Sequence, residues 1–348
     1  MNQDKFQLNK VVDEQLAALN KRQQEVLKER FGLKKDDPQT LEEIGQRYGI
    51  TRERVRQIEE AALSILRSKI TPTVDKVVKA SFEYLQSLGG ARVENLFFDE
   101  LYHIFGYPLA RDLFDNHLRF IFRLLNSPKY FKENGEFYSF WYCDSKELEK
   151  VKKLLTYFES LVQKHSTPVD QIKFSELFNT ALKQLNTQNE AVVISYLTIS
   201  KKFKFNPYGD FGFRHWPEIE PKGVRDKAYL VLKKQNQPLH FKKIAELIKL
   251  TKFDRHPVHL GTVHNELIKD PRFILVGRGI YALNDWGYKM GTVKEIIRSY
   301  LKEKETLTKE EILKYVNSQR LVKKSTVLLN LQNRNLFKRL DNGKYTLV

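Results

Sequence analysis

Residues 41–67 read LEEIGQRYGITRERVRQIEEAALSILR, with Thr40 immediately before them. Thr40 and Glu43 stand three apart, the pattern of a capping box at a helix start. The helix runs to about Tyr48, and Gly49 allows the tight turn that ends it. Thr51 then caps a second helix over 52–66. Leu41, Ile44, Ile50, Val55, Ile58, Leu63 and Leu66 are spaced so that they can face a core. A short helix, a glycine turn and a basic second helix make a helix-turn-helix. At the start of the second helix Arg52, Glu53, Arg56 and Gln57 are free to project outward. Arginine suits the guanine edge, glutamine the adenine edge and glutamate the cytosine amino group, so these residues form a base-reading set. The competing reading is a solvated helix face with internal pairs such as Glu53–Gln57.

Charge supports the nucleic-acid reading. The 348 residues carry 60 Lys and Arg against 43 Asp and Glu, a net charge of +17. A protein this basic meets a polyanion, and nucleic acid is the commonest one. The charge is uneven. It is +2 over 1–70, −2 over 71–145, +4 over 146–217, +5 over 218–288 and +8 over 289–348. The 71–145 block is therefore the candidate for protein contact rather than phosphate contact.

Composition removes several classes. Hydrophobic residues make up 41% of the chain, enough for packed cores and too many for wholesale disorder. No run approaches the roughly 18 apolar residues of a membrane-spanning helix. The start, MNQDKFQLNK, lacks an apolar signal region. The single cysteine, Cys143, can form neither an internal disulfide nor a cysteine-based zinc site. A cytoplasmic, nucleoid-associated location is the expectation, with no cofactor, no metal and no membrane partner.

Beyond residue 70 the chain repeats a plan. Four aromatic-rich hairpins read KYFKENGEFYSFW (129–141), KFKFNPYGDFGFRHW (202–216), RFILVGRGIYALNDW (272–286) and NLFKRLDNGKYTLV (335–348). Asn134-Gly135 and Asn342-Gly343 are hairpin-turn signals. Short amphipathic segments precede each hairpin, such as FFDELYHIF (97–105) and STVLLNLQNR (325–334). Three helices and a hairpin are the winged-helix plan. The chain is thus expected to be mainly α with small β-hairpin wings. A helix-turn-helix over 1–70 would be followed by winged-helix units over 71–145, 146–217, 218–288 and 289–348. In such units the wing and third helix usually touch DNA. Lys323, Lys324, Arg334 and Lys338, with Arg339 and Lys344, crowd that end of the last unit. Arg255, Arg272 and Arg278 do so more sparsely in the unit before.

Two stretches resemble known families. VLKERFGL (26–33) followed by TLEEIGQRYGITRERVRQIEEAALSILR (40–67) resembles region 4 of the sigma-70 family, over about residues 10–68. The resemblance implies that the second helix enters the major groove of a promoter −35 element. It also implies docking of the first part of the region on the flap of the RNA polymerase β subunit. On this chain Arg52, Glu53 and Gln57 would contact bases. Thr40, Leu41, Arg54 and Arg56 would contact or frame the DNA backbone. Leu16, Leu19, Val26, Leu27 and Phe31 would belong to the polymerase-facing segment. No stretch resembles the sigma region that melts the −10 element, so the chain is not expected to open promoters alone. Residues 222–288 resemble the HARE-type helix-turn-helix, a winged-helix module also found in the bacterial RNA polymerase delta subunit. The matching residues include Pro238-Leu239-His240-Phe241, Arg272-Phe273 and Tyr281 to Trp286.

Rival readings need weighing. His256, His259 and His264 could supply three imidazoles to a metal, but Pro257 splits the set and no acidic or thiol ligand is near. A nuclease needs clustered carboxylates and a lysine around Mg²⁺. The only such string is Glu218, Glu220 and Lys222 with Asp210 upstream, and Pro217 and Pro221 make it a poor strand. Hairpin aromatics such as Phe137, Tyr138, Trp141, Phe211, Phe213, Tyr281, Trp286 and Tyr345 could stack bases, but their positions suit packing first. The expectation is a non-enzymatic, sigma-factor-like transcription regulator that binds double-stranded DNA and RNA polymerase core. The alternatives are a free-standing DNA-binding regulator, a decoy that holds the flap without reading DNA, and a nuclease or its specificity module.

Overall fold

A computed structural model describes residues 6–34, 37–106, 110–251, 253 and 258–348. It is mostly helical, with 16 α-helices among the described residues and small antiparallel sheets, as the sequence predicts. No described helix is long and apolar enough to cross a membrane. The chain divides into two compact units, 1–203 and 204–348.

The first unit opens with α1 (Leu8–Leu16), α2 (Lys21–Phe31), α3 (Leu41–Tyr48) and α4 (Arg52–Arg67). The next block holds α5 (Pro72–Ser87), β1 (Ala91–Val93), α6 (Glu94–Phe105), α7 (Arg111–Leu125), β2 (Lys129–Phe131) and β3 (Phe140–Tyr142). Strand β3 is central, with β1 and β2 antiparallel on its two sides. Asn134-Gly135 does not make a tight two-residue turn. Instead the Asn134 side-chain oxygen accepts the backbone N–H groups of Glu136 and Phe137 at 2.9 and 2.8 Å, within a wider loop.

The 1–70 and 71–145 blocks were expected as separate domains, yet they share one core. Leu8, Leu16, Leu27 and Leu66 from the first pack with Val77, Phe97, Phe122 and Trp141 from the second. The reason is excess apolar surface. The C-terminal half of α4 presents Ala62, Leu63 and Leu66, and α7 presents Phe114, Phe120 and Phe122, all buried. Neither block can cover these faces alone. Polar bonds fasten the seam. Buried Gln15 donates to the carbonyls of Leu66 (3.2 Å) and Lys69 (3.0 Å) and accepts from the Thr71 N–H at 2.9 Å. Arg67 donates to the Leu124 carbonyl at 2.9 Å, and Asn116 to the Gly32 carbonyl at 3.2 Å.

Helices α8 (Ser145–His165), α9 (Gln171–Gln184) and α10 (Glu190–Ile199) complete the first unit. Ser195 and Tyr196 on α10 donate to the carbonyls of Ala91 and Gly89, both at 2.5 Å. Strands β4 (Phe203–Phe205) and β5 (Phe211–Phe213) form a two-stranded sheet.

The second unit has two blocks. The first holds α11 (Val224–Gln235), β6 (Leu239–His240), α12 (Phe241–Thr251), α13 (Leu260–Lys269), β7 (Phe273–Gly277) and β8 (Ile280–Leu283). The second holds α14 (Val293–Lys304), α15 (Lys309–Gln319), α16 (Lys324–Leu331), β9 (Phe337–Arg339) and β10 (Tyr345–Leu347). Each has its own core. Thr292 with Glu295, and Thr308 with Glu311, repeat the reciprocal cap of Thr40 with Glu43. Arg320, 4% exposed, fastens the segment that leads out of the first block, and Leu321 bridges the two blocks. Its guanidinium donates to the carbonyls of Lys289 and Gly291 at 2.5 Å, and the Leu321 N–H donates to the Val276 carbonyl at 2.6 Å.

Thus each of the four blocks after residue 70 runs three helices and then a hairpin, in the expected order. The extra strands β1 and β6, which add a third strand to two of the sheets, were not foreseen.

Candidate nucleic-acid interface

The reading helix is set by a small second core. Val26, Ile44 and Val55 are fully buried, with Leu41, Tyr48, Ile50 and Ile58 around them. This clamps α2, α3 and α4 at fixed angles. The turn between α3 and α4 is tight for a reason the sequence reading missed. A side chain at Gly45 would place its Cβ 2.7 Å from the Ile50 carbonyl oxygen, too close for any residue but glycine. Gly49 then adopts the left-handed conformation (φ 64°). The signal was present in the Gly-x-x-x-Gly spacing, but only packing shows which glycine is crowded. Tyr48 donates to Glu29 on α2 at 3.1 Å, and Arg47 pairs with the same carboxylate at 2.9 Å. Burial, then the Glu29 bond, pushes the Tyr48 hydroxyl up to about 12.

Helix α4 has two faces of different character. Its last two turns lie in the shared core, while Arg52, Glu53, Arg54, Arg56 and Gln57 are all exposed at its start. The exposed set is partly self-paired. Arg56 grips Glu53 with two bonds, at 2.9 and 2.7 Å, and reaches Glu60 at 2.5 Å. The Arg56 bond holds the Glu53 carboxyl below its usual range, and the same bond raises Arg56. Arg54 donates to the Gln57 side-chain oxygen at 3.0 Å. Arg52 makes no side-chain hydrogen bond or ion pair among the described residues. It is therefore the cation most ready for a new partner, while Arg56 and Gln57 must exchange partners to reach DNA.

The supposed backbone contacts differ among themselves. Thr40 spends its hydroxyl and its N–H on Glu43, at 2.8 and 2.7 Å. The Thr40 backbone bond, then its hydroxyl, lowers the Glu43 carboxyl below its usual range. Leu41 is half-buried against the small core. Its value to DNA would lie in the N–H groups at the helix start rather than in its side chain.

The residues of the polymerase-facing set lie largely inside the fold. Leu16, Leu19, Val26 and Leu27 are 1%, 6%, 0% and 0% exposed. Phe31 is half-buried and packs edge-on against Phe120 at 5.3 Å. Helix α7 of the acidic 71–145 block covers much of the face these residues form. They hold the fold together, and a partner cannot reach their side chains without opening the core.

In the second unit Lys323, Lys324, Arg334 and Lys338 are exposed and form no ion pairs among the described residues. Lys323 caps α16, Lys324 begins it, Arg334 follows it and Lys338 lies on β9. They gather the third helix and the hairpin of one block, without acidic neighbours bonded to them. In the block before, Arg272 is consumed by Asp226 and Asp270, at 2.9 and 2.7 Å, Arg278 is exposed, and Arg255 lies outside the described residues.

The rival sites have other occupations. His256 lies outside the described residues, and His264 packs on Phe241 with ring centroids 4.6 Å apart. Among the described residues no three His, Cys, Asp or Glu side chains could share a metal. Glu220 pairs with Arg214 and Lys204, which hold its carboxyl down at about 2. Asp210 pairs with Lys234, and Glu218 with Lys233. Of the hairpin aromatics, Trp141, Phe211, Phe213 and Tyr281 are buried, while Phe137, Tyr138, Trp286 and Tyr345 are half-buried.

Against this geometry the comparisons are specific to one segment. Residues 15–68, in the head of this chain, match the family described as Sigma-70, region 4. Two relatives are RNA polymerase sigma factor RpoD of Helicobacter pylori strains 26695 and J99, each 49% identical over 65 residues. That stretch is 18% of this chain and 9% of either relative, so the chain matches less than a tenth of their length.

Proposed function

We propose that this protein is a sigma-like, DNA-binding transcription regulator that does no chemistry of its own. Its head reads a −35-like element in the major groove through Arg52, Glu53 and Gln57, in association with RNA polymerase. The observation that carries this is the start of α4, where the base-matching side chains stand exposed on a helix whose other end is anchored in a core. The match to sigma-70 region 4 supports the reading. In the second unit, which we read as winged-helix modules of HARE type and its neighbour, Lys323, Lys324, Arg334 and Lys338 extend the footprint by phosphate contact.

The clamp makes a measurable prediction. Replacing Lys323, Lys324 and Lys338 together with alanine is expected to weaken binding to all duplexes alike. The slope of log affinity against log salt should flatten by roughly 0.9 for each phosphate that is no longer neutralised. An unchanged slope removes this block from the interface.

A second reading, the free-standing regulator, is favoured by one observation, the burial of Leu16, Leu19, Val26 and Leu27. Polymerase contact, if made, uses other surfaces of the head. A pull-down of the tagged chain from its host after nuclease treatment, scored for the polymerase β and β′ subunits, separates the two. Retention without bridging DNA supports polymerase association. Loss at gentle salt leaves the DNA-reading role standing alone.

A further inference from the structure

The head and the 71–145 block close around a cavity of about 430 Å³, within the range of small-molecule sites. Among the described residues its walls hold polar atoms without a close hydrogen-bond partner. The indole N–H of Trp141, the Oε2 of Glu94 and the Nε of Arg30 are buried without a hydrogen-bond partner. Trp141 and Glu94 are only 4% and 8% exposed. Native proteins rarely leave such atoms unpaired, and those that remain call for a ligand or water.

The surrounding charges restrict what could enter. Glu94 gives its other oxygen to Arg119, at 2.6 and 2.8 Å. Arg30 faces Glu59 at 3.6 Å. Arg123, on the same wall, is exposed and has no carboxylate partner among the described residues. A bare anion meets Glu59 and Glu94, a bare cation meets three guanidinium groups, and an apolar molecule leaves the buried atoms unpaired. Tyr130 adds a flat surface at the mouth. It is 47% exposed, and its ring meets the Trp141 ring at a 48° tilt with centroids 4.9 Å apart. The Glu94 carboxylate is its neighbour and, after burial, helps raise its hydroxyl above the usual range.

A fitting ligand therefore has an aromatic face for Tyr130, an N–H for Glu94, an acceptor for Trp141 and an anion for Arg123. We propose that the cavity binds a nucleotide whose base carries an exocyclic amino group, with its phosphate on Arg123. Aromatic stacking and arginine–phosphate bonding are the ordinary means of holding such a group. The site stands apart from the base-reading residues and binds nucleotide outside a duplex, either free or as part of a single strand.

The test uses the full chain, with AMP, CMP, GMP and UMP and with short oligo-dC and oligo-dT strands, followed by calorimetry. Saturable binding is expected for the amino-bearing bases, with UMP and oligo-dT roughly tenfold weaker. Arg123→Ala, on the surface and safe for folding, should weaken binding roughly tenfold, and Glu94→Gln should narrow the gap between CMP and UMP. Mononucleotide binding assigns a free nucleotide. Binding of oligo-dC alone, weakened in Arg123→Ala, assigns a single strand. No saturable binding of either kind, equal affinity for CMP and UMP, or indifference to both substitutions overturns the proposal. Duplex binding measured beside it reports on the head separately, since Arg123→Ala leaves Arg52 and Gln57 untouched.

Discussion

Leu66→Ala is expected to destabilise the head and the 71–145 block together, by about 2–5 kcal/mol. Leu66 is fully buried where α4 meets the shared core. Truncation removes packed methyl groups and leaves a cavity that the fold can fill only in part. Domain stabilities are roughly 5–15 kcal/mol, so the loss is a large fraction of the whole. The informative readout is hydrogen exchange. Amides of α4 and α7 should lose protection by the same amount, because both helices open in one event. If α7 keeps its protection while α4 loses it, the two blocks do not share a cooperative core. Arg52 lies fourteen residues earlier, roughly 21 Å along the helix, so duplex affinity of the folded fraction should not change.

Arg52→Ala and Gln57→Ala should each weaken binding to the preferred duplex by about 1–3 kcal/mol, roughly five- to 150-fold, and relax base choice at one position. Arg52 should act at a lower barrier than Gln57. It has no side-chain partner among the described residues, whereas Gln57 must first release Arg54. Neither side chain is packed, so melting temperature should hold. Selection of bound sequences from a random duplex pool is the decisive measurement. An unchanged preferred sequence in both variants would remove Arg52 and Gln57 from base reading.

What the sequence made legible was local. The caps at Thr40 and Thr51, the turn at Gly49 and the outward set at 52–57 depend on neighbours within four residues, and all form as read. The order of helices and hairpins was readable too, since each amphipathic stretch announces itself by spacing. Partners across the chain were not. The stripe of Leu16, Leu19 and Leu27 shows that a face is covered but not what covers it. The covering residue Phe120 lies some ninety positions away from Phe31. The two- and three-residue strands at 239–240 and 91–93 are too short to show alternation, and become strands only by pairing with β8 and β3. The cavity was invisible for the same reason, because Arg30, Glu94 and Trp141 come from three separate stretches.

If the second unit binds DNA as proposed, the seam made by Arg320 and Leu321 makes its two blocks a ruler. With the Lys289 and Gly291 carbonyls and the Val276 carbonyl all engaged, the hairpin of β7 and β8 is fastened to the segment that leads into α16. Two surfaces held at one separation meet a duplex at one phase. A DNA site that engages both would reject added base pairs, whole helical turns of about 10.5 included, because a turn restores the phase but carries the second contact about 34–36 Å away. A hinge at that position would give reach, whereas this junction would give measurement.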